Sequence, residues 1–274
     1  MIYMKTPARN GWIDLWRFLA SIIIVLFHFG GKGSLRFPSG GLFVEFYFIL
    51  TGFWACSWLE RQPPDGEFLL FHRRYRGPAG LVLKYMSGWY AKVVPYAAFG
   101  VTLLYAVGFC QKNFTALQIL KFIGQTPFEF LLLQNAGVVR SWAYVMWYLS
   151  AAVLFASPLL YLAAARPDLF FSYGVLIGPW LCHGYLLQTA GTLRVNSFGI
   201  ATPLRVWGGI LAGGLAYLLA NYIRQLRITD TVRNFLSALE VCLFGGLFFP
   251  RWSERGRSHL PMKHLYFSLL YRLV

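Results

Sequence analysis

An ionisable side chain in the middle of an apolar helix costs about 2.5–3.5 kcal/mol to insert into a bilayer, so residues of this kind are the first candidates for chemistry. The apolar run that begins at Trp12 carries three of them: Asp14, Arg17 and His28. His28 sits inside SIIIVLFHF, and an imidazole titrates close enough to neutrality to take a proton from a hydroxyl. Arg17 and His28 are eleven residues apart. On a helix that is about three turns plus 20°, so both fall on one face, separated by roughly 16 Å along the axis. Asp14 and Arg17 stand at i,i+3 and are placed to pair. The competing role for Arg17 is snorkelling to the interface, and for His28 a seat among the outer headgroups.

Glu45 interrupts a second apolar run, GLFVEFYFILTGF. A carboxylate there is expected to face the bundle interior or a water-filled cavity, or to partner a neighbouring arginine. Arg205 lies early in a later run and is a candidate for anion binding. The pairs Thr51-Gly52, Gly208-Gly209 and Gly213-Gly214 read as points where helices approach closely. Glu240 reads as structural, His72 as part of a solvated basic loop, and His183 as a packed or interfacial histidine rather than a catalyst.

The elements that carry these residues follow from composition. The 274 residues are 57% hydrophobic, 19% aromatic and 13% charged, with mean hydropathy +0.52. A soluble domain carries roughly 25% charged residues, so the chain reads as a multi-span membrane protein, all-α, and not as a disordered one. The apolar runs are Trp12–Phe29, Gly41–Leu59, Trp89–Cys110, Tyr144–Ala165, Pro167–Leu187, Phe198–Ile223 and Phe235–Pro250. These seven runs set the expectation at seven to eight spans. The hydrophilic stretch between Glu60 and Tyr85 reads as a loop. Segment 119–137 contains Lys121, Gln125, Pro127, Glu129 and Gln134, too polar for a lipid-facing helix, and reads as re-entrant or interfacial.

Lys and Arg total 25 against 10 Asp and Glu. Because these charges lie between apolar runs, they fit the cytoplasmic bias of basic loops, and no fold motif for nucleic acid accompanies them. Arg61, Arg73, Arg74, Arg76 and Lys84 mark the stretch after the second run as cytoplasmic. If segment 119–137 does not cross, Arg224, Arg227 and Arg233 fall on the same side, which decides against a crossing. Cys56, Cys110, Cys182 and Cys242 are scattered singly, so neither a disulfide framework nor a metal site is expected. Residues 1–250 read as one transmembrane domain and 251–274 as an atypical basic tail. The tail's five basic residues on the outer side run against the charge bias. The expectation is a chain truncated at its end, or one whose last residues are foreign to the fold.

Several stretches together resemble the membrane-bound acyltransferase 3 family. Asp14-Leu-Trp-Arg17, followed after ten residues by His28, resembles its first-span motif, and FVEFYFILTGF over Phe43–Phe53 its second-span signature. Lys92-Val-Val-Pro95 is similar to its basic-x-x-Pro opening of the third span. Trp147-Tyr-Leu-Ser150 is similar to Trp-x-Leu-Ser, and Arg205 with Gly209 to a later Arg-plus-glycine pattern. The matches keep one order over residues 11–222. Trp89 stands where many members have a second arginine, and Ala151-Ala152 where many have a glutamate; since the family usually has about ten spans, the resemblance leads to the expectation that the last two are absent here.

The resemblance implies transfer of an acyl group, commonly acetyl, from acyl-CoA to a hydroxyl of a cell-envelope carbohydrate or lipid-linked acceptor, in the bacterial cytoplasmic membrane. It implies His28 as general base, with Glu45 orienting a histidine or an arginine. Arg17, held by Asp14, would attract the CoA phosphates or line the thioester's path, with Lys92 also on the donor side. Trp147, Ser150 and Arg205 would line the acceptor side, with no metal. Two alternatives stay open: a transporter or flippase using the same buried charges, and an inactive truncated member.

Overall fold

The computed structural model describes residues 11–29, 37–62, 67–70, 73–111, 115–134, 146–193, 200–226 and 229–248. The tail 251–274, His72, Arg227 and the predicted run starts at 144–145 and 198–199 lie outside them. The helices are α1 (Gly11–Phe29), α2 (Phe43–Leu59), α3 (Gly77–Gln111), α4 (Ala116–Phe130), α5 (Trp147–Ala165), α6 (Pro167–Leu169), α7 (Val175–Ala190), α8 (Ala201–Gln225) and α9 (Asp230–Phe248). A 3₁₀ turn, Pro38–Leu42, leads into α2, and a π-helical turn, Phe170–Gly174, joins α6 to α7. Six stretches of described helix are long and apolar enough to cross a membrane: Gly11–His28, Gly40–Leu59, Gly77–Cys110, Trp147–Ala165, Pro167–Ala190 and Ala201–Gln225. The chain is an all-α polytopic membrane protein. The seventh predicted run forms α9, which is not among the six.

One expectation is corrected. The stretch 60–85 is not a plain loop. It holds a hairpin, β1 (Glu67–Leu70) against β2 (Arg73–Arg76), and α3 begins at Gly77. Gly77 sits at φ +64°, a left-handed conformation that glycine adopts without steric cost. The basic residues of this stretch dilute its hydropathy, and so hide the helical start in which Leu81 and Val82 are already buried.

The chain divides into two compact units. The first holds α1, the start of α2 up to Tyr47, the end of α8 from Ile223, and α9. In it Trp16, Ala20, Ile23 and Ile24 of α1 are buried at helical spacing. Gly40 lies against Phe27, and the Trp12 indole N–H donates to Glu240 over 3.1 Å.

The second unit runs from Phe48 to Tyr222 among the described residues, and α8 supplies much of its core, with Val206, Ile210, Leu211 and Tyr217 buried. Helices in lipid gain little from apolar burial against one another, so close backbone approach through small residues supplies the packing. Here Gly209 receives the Phe48 side chain, Gly52 lies against the Ile210 carbonyl, and Gly213 against the Ile49 carbonyl. Gly52, Gly209 and Gly213 therefore form one contact, α2 on α8, while Gly208 and Gly214 face His183 and Val175 of α7. The Trp207 indole N–H donates to the Phe155 carbonyl at 2.8 Å and ties α8 to α5.

The polar segment forms α4, capped reciprocally by Thr115 and Gln118. Its 15 residues span about 22 Å, short of a hydrocarbon core of about 30 Å. It folds back along α3: Phe122 meets Phe109 and Tyr105 edge to face or tilted. The Tyr105 hydroxyl donates to buried Glu129 at 2.7 Å, and the Tyr90 hydroxyl to the Leu131 carbonyl at 2.9 Å. Beyond α4, the Tyr217 hydroxyl of α8 bonds Glu60 at the end of α2. The C-terminal ends of α2 and α8 thus share a side, as a non-crossing α4 requires.

This yields a labelling prediction. In a cysteine-less background, Arg61→Cys and Gln225→Cys should react with an impermeant maleimide from one side, and Ile200→Cys from the other. If Gln225→Cys reacts on the side of Ile200→Cys instead, α4 crosses.

Candidate functional site

In the first unit the continuous α1 carries Asp14, Arg17, Ser21 and His28 within a narrow arc of one face, as 100° per residue requires. An Arg17 guanidinium nitrogen lies 3.5 Å from the Asp14 carboxylate, with the Arg17 side chain 52% exposed. The expected pair is present but long. Ser21 donates back to the Arg17 carbonyl at 3.0 Å, a bond that hydroxyls in helices commonly make. Tyr47 of α2 reaches the same spot, 2.6 Å from the Ser21 hydroxyl and donating to the Arg17 carbonyl at 2.7 Å. His28 is exposed in the last turn of α1, its ring edge-on to Phe27 at 5.1 Å. Glu45 is buried in the first turn of α2, where a carboxylate complements the helix dipole.

Ser21 and Tyr47 were missed at the level of sequence. Ser21 was legible in principle: it stands at i+4 from Arg17, on the face that Asp14, Arg17 and His28 define. Tyr47 was not, because only the fold brings α2 against that face.

In the second unit the structure gathers a different group. Arg205 is buried, at 2% exposure. Its guanidinium carbon lies 4.9 Å from the centre of the Trp147 ring, a desolvated cation–π contact. Phe48 meets the same indole in a T-shaped arrangement at 6.3 Å. Ser150, one turn along α5 from Trp147, is fully buried. A guanidinium stacked by its face recognises oxygen acceptors through its edges.

His183 of α7 packs into the notch left by Gly208 of α8. Its Nε2 has no hydrogen-bond partner among the described residues. His183 is thus packed against α8, as its sequence reading as a packed or interfacial histidine expects. Its neighbour is a glycine three residues past Arg205 on another helix, which no local pattern shows.

Lys92 is exposed on α3 and makes no hydrogen bond or ion pair among the described residues. It joins neither group. Among the described residues no three His, Cys, Asp or Glu side chains cluster in a way that would hold a metal ion. Comparison with family models, with curated proteins and with solved structures finds no match for this chain.

Proposed function

We propose that the protein is an integral membrane O-acyltransferase of the bacterial cytoplasmic membrane. It would move an acetyl group from acetyl-CoA to a hydroxyl of a cell-envelope carbohydrate or lipid-linked acceptor. The observation that carries the reading is the polar face of α1, where Asp14, Arg17, Ser21 and His28 follow one another along a helix long enough to span the bilayer.

In this reading His28 is the general base. Its exposure leaves the imidazole accessible to an acceptor hydroxyl, whose proton it takes as the oxygen attacks the thioester carbonyl; the CoA thiolate leaves and is protonated. Glu45 supports the site from α2. Arg17 attracts the CoA phosphates or lines the thioester's path, and Lys92 adds charge on the donor side. Arg205 on Trp147, with Ser150 buried beside them, holds acceptor oxygens. Thiol release from acetyl-CoA in membranes holding the protein, dependent on an added envelope glycan fraction, is the direct test. Absence of release in wild-type membranes would overturn the reading.

A second reading, a transporter or flippase, is favoured by α4. A helix too short to span the core, with a buried carboxylate near its end, resembles the broken helices that form ion sites in transporters. Ion-coupled uptake into proteoliposomes without thiol release would decide for it.

Arg17→Ala should raise KM for acetyl-CoA more than it lowers kcat, since a phosphate contact acts in ground state and transition state alike. Arg17→Lys should recover only part, because a point charge lacks the planar fork. Asp14→Asn with Arg17→Gln removes both charges together. An unchanged KM in that double variant would show that Arg17 serves structure.

A further inference from the structure

The second unit contains a small cleft lined by Thr51 of α2, Tyr85, Met86 and Trp89 of α3, and Ala152 and Ala156 of α5. The lining holds no charge. Ala152 and Ala156 form a shallow floor at i,i+4, and Met86 and Trp89 a wall at i,i+3. The space at its centre is about 10 Å³, enough for one water-sized or methyl-sized group.

Two basic side chains lie near Tyr85, one of the residues that line the cleft. The Tyr85 ring lies 5.2 Å from that of Trp58. The Lys84 ammonium stands over Trp58 at 5.8 Å and bonds the Gln62 side chain at 3.1 Å. Beside Gln62, Arg61 holds the Ser57 carbonyl at 2.7 Å and is exposed, as is Lys84. Arg61 lies ten residues beyond Thr51, just past the end of α2 at Leu59. Two exposed positive charges beside an uncharged, methyl-sized slot match a ligand that is a polyanion at one end and a short hydrocarbon at the other.

We propose that this cleft and the basic residues beside it bind the acyl-CoA donor: Arg61 and Lys84 take phosphates of its nucleotide end. The methyl of the acetyl group enters the slot between Trp89 and Ala152. This rests on the acyltransferase reading and adds to it a donor site and a cause of chain-length selection.

The test uses the full-length protein in membranes, with thiol release as the signal. Arg61→Gln with Lys84→Gln should raise KM for acetyl-CoA about tenfold or more at unchanged kcat, as expected for lost charge-assisted contacts. Acetyl-pantetheine, which lacks the nucleotide phosphates, should serve wild type and double variant equally. Trp89→Ala should move the ratio of hexanoyl to acetyl transfer about tenfold toward the longer chain, since pocket size discriminates methylenes on that scale. If Trp89→Ala fails to accumulate in the membrane, Trp89→Phe should give a smaller shift in the same direction. A wild type that transfers acetyl while the double variant keeps its KM, or while both Trp89 variants keep the ratio, overturns this donor site and leaves the acyltransferase reading standing. A wild type that neither releases thiol nor binds acetyl-CoA overturns both.

Discussion

His28→Ala is expected to lower acyl transfer by about 10²–10⁴-fold, the usual worth of a positioned base, while the protein still inserts and accumulates. His28 is the last-but-one residue of α1 and is exposed. Its removal therefore leaves no packing void, and loss of activity should not track loss of protein. Substitution by Gln tests the same point with a side chain that keeps hydrogen bonding but cannot take the proton. If His28→Ala or His28→Gln retains wild-type thiol release, the base lies elsewhere, and the polar face of α1 loses its catalytic meaning. The measurement needs the amount of each variant in the membrane and the initial rate at saturating acetyl-CoA.

Gly213→Leu should have the largest effect on folding. A side chain at Gly213 would run into the Ile49 carbonyl, the Phe53 amide and Gly52 of α2. These are backbone atoms that cannot swing aside as a flexible side chain would. Overpacking a core costs about 1–3 kcal/mol when side chains can adjust; here the whole α2–α8 contact must open, so about 3 kcal/mol or more is expected. Gly209 and Gly213 stand four apart on one face of α8, the spacing through which membrane helices approach most closely. The expected outcome is a sharp fall in monodisperse protein after detergent extraction and a lower unfolding temperature. Gly184→Leu is the control. Nothing lies within 4 Å of the Cβ position at Gly184, so it should stay within about 0.5 kcal/mol of wild type. Equal stability of the two variants would mean that α2 and α8 do not meet through these glycines.

The class of the molecule was legible before any coordinates. Long apolar runs with charges between them allow little but a helical membrane bundle, because the bilayer offers no partner for an unpaired backbone group. The first span was placed nearly residue for residue, and the i,i+3 and i,i+11 spacings of Asp14, Arg17 and His28 became one helix face, since helix geometry is local. The short α4 was legible for a related reason: Lys121, Glu129 and, just beyond it, Gln134 made a lipid-facing crossing too costly. The early start of α3 was not, because a turn whose one face is charged and whose other is buried averages to a hydrophilic stretch.

What only the tertiary structure decided are the partners. Arg205 and Trp147 are separated by more than fifty residues, and their contact depends on how α5 and α8 pack. Tyr47 joins the Arg17 carbonyl because α2 folds back against α1. His183 packs against α8 because Gly208 has no side chain, a fact about the facing helix and not about the histidine's own neighbourhood. Periodicity along a chain reveals which face of a helix is polar. Which other face meets it depends on the close approach of glycine-bearing backbones, and that is settled only when the helices assemble.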